Sequence, residues 1–180
     1  LVLAAELCDL RAAGADTLQR IARDYQALKA HPAPDAPRPK VMLNTPYRDT
    51  WFMPARNSYM VRLLEDAGAR YVFEENTATQ TLPIDIEQAY YLTSKSDFWL
   101  NVSGCNTLDE VRRQNPRLAD TPPVREGRVY DNNRRRNAAG GSDFWESGVL
   151  RPDRVLADLV HIFHPELSET DELYYYRQLE

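Results

Sequence analysis

The chain has 180 residues, of which 43% are hydrophobic and 10% aromatic, enough to bury one well-packed core. Its formal net charge of -5 disfavours a general role in binding nucleic acid, because phosphate recognition requires a basic surface. The sequence also lacks an apolar run approaching the roughly 20 residues that cross a bilayer.

The N-terminal segment is predicted to be helical. The first residues lack the basic region of a secretory signal peptide and have the pattern of a helix already under way. A helix is predicted over residues 16–29, with Asp16 as its N-cap and with the apolar stripe Leu18, Ile21, Ala22, Tyr25 and Leu28. It ends in a segment with four prolines between residues 31 and 40, which favours neither helix nor central strand. Residues 1–39 are therefore interpreted as a helix followed by a linker.

Strand and helix patterns alternate from residue 40 onward. Strands are predicted at 40–44, 70–74, 97–102 and 127–131, and helices at 57–68, 85–92, 107–114 and from Pro152 to before Pro165. The first of these helices has Asn57 or Ser58 as N-cap and Gly68 as stop, the second has Asp85 as N-cap, the third begins with a capping box of Thr107 and Glu110, and the last has Pro152 at its first position. Parallel strands need such crossovers, so the sequence predicts an α/β fold with a doubly wound, mainly parallel sheet over residues 40–166, preceded by a long helix. Residues 167–180 are predicted to be a surface-packed tail whose three tyrosines serve packing rather than function.

Three long connections follow the predicted strands, at residues 44–56, 75–83 and 132–150. Connections in compact domains typically have about 4–6 residues. Ligands of open α/β sheets bind beyond the carboxyl ends of the strands, which is where these connections lie. The sequence therefore places the functional site at that edge.

Two of these connections combine aromatic rings with guanidinium groups. The first contains Tyr47, Arg48, Trp51 and Arg56, and the last contains Arg134, Arg135, Arg136, Phe144 and Trp145. Such a set suits a bulky organic anion, because rings supply apolar contact and arginine supplies forked, charge-assisted hydrogen bonds. Any one of these residues is more readily explained by loop packing or solvation. The combined set on one edge favours a binding site, and the loop of residues 134–136 and the loop of Trp51 are expected to face a common concavity.

Patterns of catalytic and metal sites are missing from the sequence. It has no glycine-rich nucleotide motif and no G-x-S-x-G nucleophile turn. Of its three histidines, His31 falls in the linker, while His161 and His164 fall at the end of the last helix, where a cation suits the helix dipole. A metal centre is therefore not predicted there. Cys8 and Cys105 are predicted to be buried thiols rather than a disulfide.

Four segments, taken in order, resemble the C-terminal lobe of periplasmic substrate-binding proteins that serve ABC importers of iron complexes (siderophores, haem) and cobalamin. They read W-x-x-P-A-R-N-S-Y-x-x-x-L-L-x-x-A-G-A, LPIDIEQAYYL, PPVREGRVYDNN and DFWESGVLRPDRVLADLVHIFHPE. The resemblance extends from about residue 40 to 166. It implies a Rossmann-like three-layer lobe, with the helix at 16–29 as the connector between two lobes. The N-terminal lobe of that family is absent from this sequence, so weak affinity is expected of this chain alone.

The resemblance also implies roles for particular residues. In the family, the loop that corresponds to residues 76–83 lends a ligand-contacting side chain, often aromatic, whereas this chain has Thr77, Thr79 and Gln80. Trp145 stands in the place of the aromatic in the family's second contact segment, which makes Phe144 and Trp145 part of an expected cleft wall. Glu87 matches a surface carboxylate that pairs with arginines of the permease. A first-turn glutamate favoured by the helix dipole explains Glu87 equally well.

The function that the resemblance implies is binding of a metal complex for import, without catalysis. The ligand carries its own metal, so no resident cofactor is expected. The arginines favour an anionic ferric siderophore or haem over cobalamin, which is largely neutral. The expected partner is an ABC permease, and the expected state is a monomer in the periplasm, with a lipid anchor on a missing N-terminal segment. The alternative is an enzyme or chelatase-like module on a similar fold, with Asp49, Glu75 or Asp143 as its titratable group.

Overall fold

The computed structural model describes residues 2–29, 33, 35–48, 50–168 and 172–180. His31 of the predicted linker and Asp49 of the alternative enzyme hypothesis lie outside the described residues. None of the helices in the described part of the chain is both long enough and apolar enough to cross a membrane.

Seven α-helices and eight strands are formed by the described residues. In chain order they are α1 (Val2–Leu7), α2 (Arg11–Lys29), β1 (Lys40–Leu43), β2 (Pro46–Tyr47), β3 (Thr50–Met53), α3 (Tyr59–Asp66), β4 (Arg70–Tyr71), β5 (Leu82–Ile84), α4 (Ile86–Ser94), β6 (Phe98–Leu100), α5 (Leu108–Gln114), α6 (Pro122–Arg125), β7 (Val129–Asp131), α7 (Pro152–Phe163) and β8 (Arg177–Gln178).

The two N-terminal helices differ from the prediction at their junction. The long helix α2 begins at Arg11, so Asp16 lies inside it and is not an N-cap. The break before α2 falls at Asp9, whose φ of 57° is left-handed, and the N–H of Gly14 already donates to the carbonyl of Leu10. Cys8 is exposed at this turn, which corrects the expectation of two buried thiols, while Cys105 is buried; both are free.

The predicted helix caps are confirmed where the crossover helices begin. The side chain of Ser58 accepts a hydrogen bond from the N–H of Val61, and those of Asp85 and Thr107 do the same at the starts of α4 and α5. Helix α3 is followed by Gly68 in the left-handed conformation, and α7 has Pro152 at its start. The observed helix ends follow the predicted ones closely because these signals are local.

The central sheet has five strands in the order β4-β1-β6-β7-β8, and its first four strands are parallel. The chain moves from β1 outward to β4 and then returns past β1 to β6 and β7. Right-handed crossovers place α3 on one face and α4, α5 and α6 on the other. Accordingly, α7 packs against α2 and α3, while α6 packs against α4 and α5. This is the doubly wound α/β fold that the sequence predicts.

A second sheet lies largely within the segments 44–56 and 75–83, which the sequence predicts only as long loops. Strands β2, β3 and β5 form a three-stranded antiparallel sheet, here called the small sheet. In its register Trp51 lies opposite Ile84, and Phe52 lies opposite Pro83. Successive side chains of β3 therefore alternate between the core and the outer face. The small sheet extends the fold beyond the carboxyl end of β1.

The C-terminal segment is part of the core, so the prediction of a surface-packed tail is wrong. Strand β8 pairs antiparallel with β7, and the rings of Tyr175 and Tyr176 are fully buried. The buried carboxylate of Asp158 on α7 accepts hydrogen bonds of 2.6–3.0 Å from the backbone N–H groups of Tyr174, Tyr175 and Tyr176. The prediction that the tyrosines serve packing is confirmed for these two buried rings.

Candidate ligand-binding site

The carboxyl ends of the parallel strands meet at one edge of the sheet and carry asparagines. Asn44 follows β1 and Asn101 follows β6, both with a left-handed φ. The Oδ1 of Asn101 accepts hydrogen bonds from the Nδ2 of Asn132 (3.1 Å) and from the hydroxyl of Tyr176 (2.9 Å). Sequence reasoning missed this network, although asparagine directly after a strand is a signal for such a turn. The network fixes the backbone from which the last long connection departs.

The small sheet carries the first group of predicted site residues, and it places some of them in the core and others on the surface. Trp51 has only 1% of its surface exposed, its Nε1 donates to the carbonyl of Leu43 at 2.8 Å, and its ring packs on Trp99. The prediction that Trp51 contacts ligand therefore conflicts with its position in the core. Its neighbour Phe52 is 43% exposed, and Tyr47 is also exposed on this sheet, with Arg48 over its ring. The exposed ring of β3 is therefore Phe52, whereas the sequence prediction named Trp51.

Arg56 is engaged by neighbouring structure rather than by the other predicted arginines. Its Nη1 donates to the carbonyl of Glu74 at 2.7 Å, and its Nη2 lies 3.6 Å from the carboxylate of Glu65. These contacts join the start of α3 to the chain that follows β4. Arg56 thus supports the second long connection.

The second long connection is organised by a buried asparagine. The Nδ2 of Asn76 donates to the carbonyl of Pro54, and its Oδ1 accepts from the N–H of Ala78. This turn leaves Thr77, Thr79 and Gln80 exposed, as a ligand-contacting role requires. Thr77 and Thr79 line a cavity of about 370 Å³ together with Arg56, Asn57, Arg62, Glu65, Asn76 and Ala78.

Residues 134–145, here called the arginine loop, form a compact turn rather than a free coil. Arg136 and Ser142 make an antiparallel bridge, and the Oδ1 of Asn137 accepts hydrogen bonds from the N–H groups of Ala139 and Gly141. The hydroxyl of Ser142 donates to the carbonyl of Asn132, which ties the loop to the end of β7. A cavity of about 500 Å³ is lined by Arg134, Arg135, Arg136, Asn137 and Asp143.

The three arginines of this loop have different partners. Arg134 lies 3.5 Å from the carboxylate of Glu172, and Arg135 lies 3.0 Å from that of Asp143 while stacking on the ring of Tyr174. Hydrogen bonds from Arg135 and from Ser147 lower the pKa of Asp143. Asp143 is therefore held as a carboxylate that partly neutralises the loop. The guanidinium of Arg136 reaches the Oδ1 of Asn106 at 3.5 Å.

The aromatic pair of this loop is divided between core and surface. Phe144 is buried and makes edge contacts with Tyr175 and Tyr176, so the prediction that it forms the cleft wall conflicts with its position. Trp145 is 66% exposed and rests edge-on against Phe144. Trp145 is thus an exposed ring, as a place in a cleft wall requires, and it packs on Phe144, which in turn packs on Tyr175 and Tyr176.

The predicted site residues share one edge without sharing one cavity. The small sheet and the arginine loop both follow the carboxyl ends of parallel strands, as predicted. The cavity at the arginine loop, however, is lined by residues 134–137 and 143, without a residue of the small sheet. Among the described residues that line this cavity, none comes from the Trp51 segment. The expectation of a common concavity between that segment and the arginines is therefore wrong for this cavity.

Glu87 lies in the first turn of α4 with its side chain largely exposed. Since α4 precedes the parallel strand β6, its N-terminus lies near the carboxyl edge of the sheet. The side chain is 3.4 Å from Arg117 in an exposed ion pair, which contributes little to stability. Glu87 is therefore on the surface near the site but outside the two cavities described above.

The histidines at the end of α7 lie apart from the carboxyl edge. His164 is buried at the C-cap, 3.7 Å from the carboxylate of Glu166. Among the described residues, no group of three His, Cys, Asp or Glu side chains is arranged to hold a metal ion.

Comparisons with known proteins agree with this architecture. A family model described as periplasmic binding protein matches residues 2–134. An uncharacterised lipoprotein of Methanocaldococcus jannaschii is 28% identical over 131 residues, which is 71% of this chain and 30% of that protein.

Two solved structures illustrate the shared fold. A periplasmic haem-binding protein of Pseudomonas aeruginosa superposes with a TM-score of 0.61 at 19% identity, covering 98% of this chain and 61% of its own. A siderophore-binding protein of Vibrio cholerae, solved with Fe3+-Desferal, has a TM-score of 0.56 at 17% identity over 89% of this chain and 59% of its own. This chain thus spans about three-fifths of those chains and a smaller part of the lipoprotein.

Proposed function

Because this chain belongs to the periplasmic binding protein family, we propose that it is the ligand-binding lobe of an extracytoplasmic protein that delivers an iron complex, a siderophore or haem, to an ABC permease. The family and the solved neighbours are binding proteins rather than enzymes. The proposal thus adds to the family a class of ligand and a delivery step.

The observation that carries the proposal is the arginine loop at the carboxyl edge of the sheet. Three guanidinium groups line one cavity there, and Trp145 stands exposed beside them. Guanidinium groups recognise carboxylates with paired hydrogen bonds, and an indole ring offers a flat apolar surface. Together they match a large organic ligand with peripheral negative charge, such as haem with its propionates or an acidic ferric siderophore.

The alternatives fit this edge less well. Cobalamin is largely neutral, so it offers the arginines few negatively charged groups to bind. An enzyme of the acid–base type needs a carboxyl group poised to exchange a proton, whereas Asp143 is held ionised by Arg135 and Ser147. Glu75 is exposed on the second connection. The ligand of the proposed binding protein brings its own metal, so this function requires no resident cofactor.

The proposed partner and location follow from the same family relationship. The relative in Methanocaldococcus jannaschii is a lipoprotein, which supports an extracytoplasmic location with a lipid anchor elsewhere in the full protein. Glu87 supports docking on a permease, because it is exposed near the carboxyl edge and away from the arginine loop. A monomer is the proposed state, since one lobe pair suffices to enclose a ligand in this family.

The proposal is tested by titrating haemin, ferric aerobactin (a carboxylate-bearing siderophore complex) and cyanocobalamin against the chain and following tryptophan fluorescence, with Trp145→Phe used to identify the contribution of Trp145. We expect haemin or an acidic ferric siderophore to bind more tightly than cyanocobalamin. Replacing Arg134, Arg135 and Arg136 by Gln should weaken the anionic ligand by ~1.5–3 kcal/mol for each charge-assisted hydrogen bond that is lost.

A matched control is the variant in which Arg112 and Arg113 of α5 are replaced by Gln, because both are exposed and neither lines the arginine-loop cavity. This control should bind like the wild type. Preference for cyanocobalamin, or equal affinity of the triple variant and the wild type, would contradict an anionic iron complex as the ligand.

A further inference from the structure

Strand β8 brings a fourth arginine to this edge. Arg177 lies directly opposite Asp131 in the antiparallel pair of β7 and β8. Side chains at opposite positions share one face and are neighbours, so an ion pair between them is the ordinary outcome. No ion pair between Asp131 and Arg177 is formed in the structure described here, and the Oδ1 of Asp131 is buried without a hydrogen-bond partner.

Arg177 is instead held toward the arginine loop by two asparagines. Its Nε donates to the Oδ1 of Asn133 at 2.6 Å, and its Nη2 donates to the Oδ1 of Asn106 at 2.8 Å. The same oxygen of Asn106 is the acceptor for Arg136 at 3.5 Å. Two guanidinium groups are thus gathered around a single amide oxygen.

These two arginines differ from their neighbours in lacking a carboxylate partner. Arg134 and Arg135 have ion pairs with Glu172 and Asp143. Within the described part of the chain, neither Arg136 nor Arg177 lies within 4.0 Å of a carboxylate oxygen. Neutral asparagine oxygens orient both groups without neutralising them, so the pair retains its charge for an external anion.

Asp131 supplies a buried counter-charge close to the pair. It is 2% exposed, and burial raises its pKa to about 6, against the lowering effects of the Asn132 N–H and of Arg177 and Arg136. The other titratable groups that face it are Cys105 and Tyr176, whose pKa values are themselves raised by burial. The negative charge of Asp131 offsets part of the electrostatic repulsion between the guanidinium groups of Arg136 and Arg177 when no ligand is bound.

We propose that Arg136 and Arg177, joined through Asn106, form an oxyanion-binding site that takes a carboxylate or phosphate group of the ligand. The inference rests on the proposed function, because it specifies which groups of that edge contact the negative charge of the bound molecule. It adds Arg177 of the C-terminal strand, which lies outside the segment that the family model matches.

The test uses metal-free anions, so that it can succeed or fail independently of iron-complex binding. Citrate and inorganic phosphate are titrated separately against the chain by calorimetry and by amide chemical shifts. Arg136→Gln and Arg177→Gln should each weaken the anion that binds by about tenfold or more, the loss typical of one charge-assisted hydrogen bond. Arg177→Lys should recover part of the affinity, because lysine keeps the charge but not the forked geometry.

Two further variants separate a binding role from a structural one. Arg20→Gln on α2 removes the same charge from an exposed residue that does not line the arginine-loop cavity, and it should leave anion affinity unchanged. Asp131→Asn removes the counter-charge and should strengthen anion binding severalfold at pH 7.5. Thermal unfolding of every variant identifies those that have lost the fold.

The outcomes distinguish this inference from the proposed function. Binding of citrate alone or phosphate alone supports the site and identifies its preferred anion. Failure of both anions to bind the wild type, or unchanged affinity in a folded Arg177→Gln variant, would overturn the site. If anions bind as expected while haemin and ferric aerobactin do not, the oxyanion site stands and the proposed function fails.

Discussion

Two regions at the carboxyl edge each present a pair of adjacent aromatic residues, and each divides its pair between core and surface. In the small sheet Trp51 is buried and Phe52 is exposed, while in the arginine loop Phe144 is buried and Trp145 is exposed. The first division follows from the alternation of a strand, whereas the second arises in a short turn of 3-10 helix supported by the tail. Each pair has one tryptophan and one phenylalanine, but the buried ring is the tryptophan in the small sheet and the phenylalanine in the arginine loop. The local backbone determines which of the two rings is buried.

The regions also differ in what supports them. The small sheet is joined to the core by stacking of Trp51 on Trp99 and by hydrogen bonds from indole nitrogens to backbone carbonyls. The arginine loop stands on a polar network of asparagines and Tyr176, beside the buried carboxyl group of Asp131. An apolar support is insensitive to pH, and a support with a buried acid is not. Substitutions in the two regions and a change of pH should therefore affect them differently.

The largest effect is expected at the buried tryptophan of the small sheet. Trp51→Ala should lower the free energy of unfolding by about 3–5 kcal/mol, because it opens a cavity beside Trp99. Phe52→Ala, one residue away on the outer face, should cost about 1 kcal/mol or less. Urea unfolding of both variants measures the difference, and equal losses would show that the alternation of β3 does not decide which ring supports the fold.

The second pair should repeat this division with a smaller loss. Phe144→Ala should lower the free energy of unfolding by about 3 kcal/mol, since its ring packs against Tyr175 and Tyr176. Trp145→Ala should leave stability within about 0.5 kcal/mol of the wild type but reduce haemin affinity. Denaturant titration and haemin binding on the same samples test both statements. A large stability loss from Trp145→Ala would place its ring in the core.

A pH effect should distinguish the polar support from the apolar one. The folded pKa of Asp131 is raised from 3.8 to about 6, so its proton is bound more tightly in the native state. The resulting stabilisation is complete below the unfolded pKa and is lost as pH rises through about 6. Between pH 4.5 and 7.5 this group alone should change the free energy of unfolding by about 2 kcal/mol.

Asp131→Asn serves as the reference for that measurement, because it removes the titrating group and leaves the other carboxylates in place. The wild type should lose about 2 kcal/mol more than the variant over this pH range. Amide hydrogen exchange should locate the pH-dependent difference in residues 134–145 and not in the small sheet. Parallel pH profiles of the two proteins would contradict a raised pKa at Asp131.

The smallest structural effect is expected at Glu87, which borders the small sheet through β5 and α4. Glu87→Arg should change the free energy of unfolding by about 0.5 kcal/mol or less, because the ion pair with Arg117 is exposed. Haemin affinity should not change, since the residue lies outside the arginine-loop cavity. In the full protein, uptake into cells should fall, because like charges would oppose each other at a permease surface, and the defect should depend on salt.

Glu87→Gln is the matched control, since it removes the charge without reversing it, and it should show an intermediate uptake defect. Normal uptake by Glu87→Arg would remove the reason for assigning this residue to permease docking. A loss of haemin affinity in the same variant would instead place Glu87 in the ligand site.

The elements with local signals are predictable from the amino-acid sequence. Ser58, Asp85 and Thr107 cap their helices, Gly68 follows α3 and Pro152 begins α7, as predicted, because a cap depends on contacts within about one turn. The alternation of these elements also predicts the parallel order of the central sheet, since crossover helices constrain the topology. Asp16 shows the limit of such signals, because a good capping residue is also tolerated inside a longer helix.

Contacts between distant parts of the chain determine which residues of the edge face solvent and which partners the arginines have. The burial of Trp51 and Phe144 depends on Trp99 and on the tail tyrosines, which lie far away in the sequence. Arg177 meets Arg136 because β8 returns beside β7, an antiparallel pairing of two residues that leaves no recognisable period in the sequence. The pairing of short strands that are distant in the sequence depends on how the whole segment is buried. The amino-acid pattern around Tyr175 and Tyr176 therefore indicates that these rings pack, but it does not indicate the strand beside which they pack.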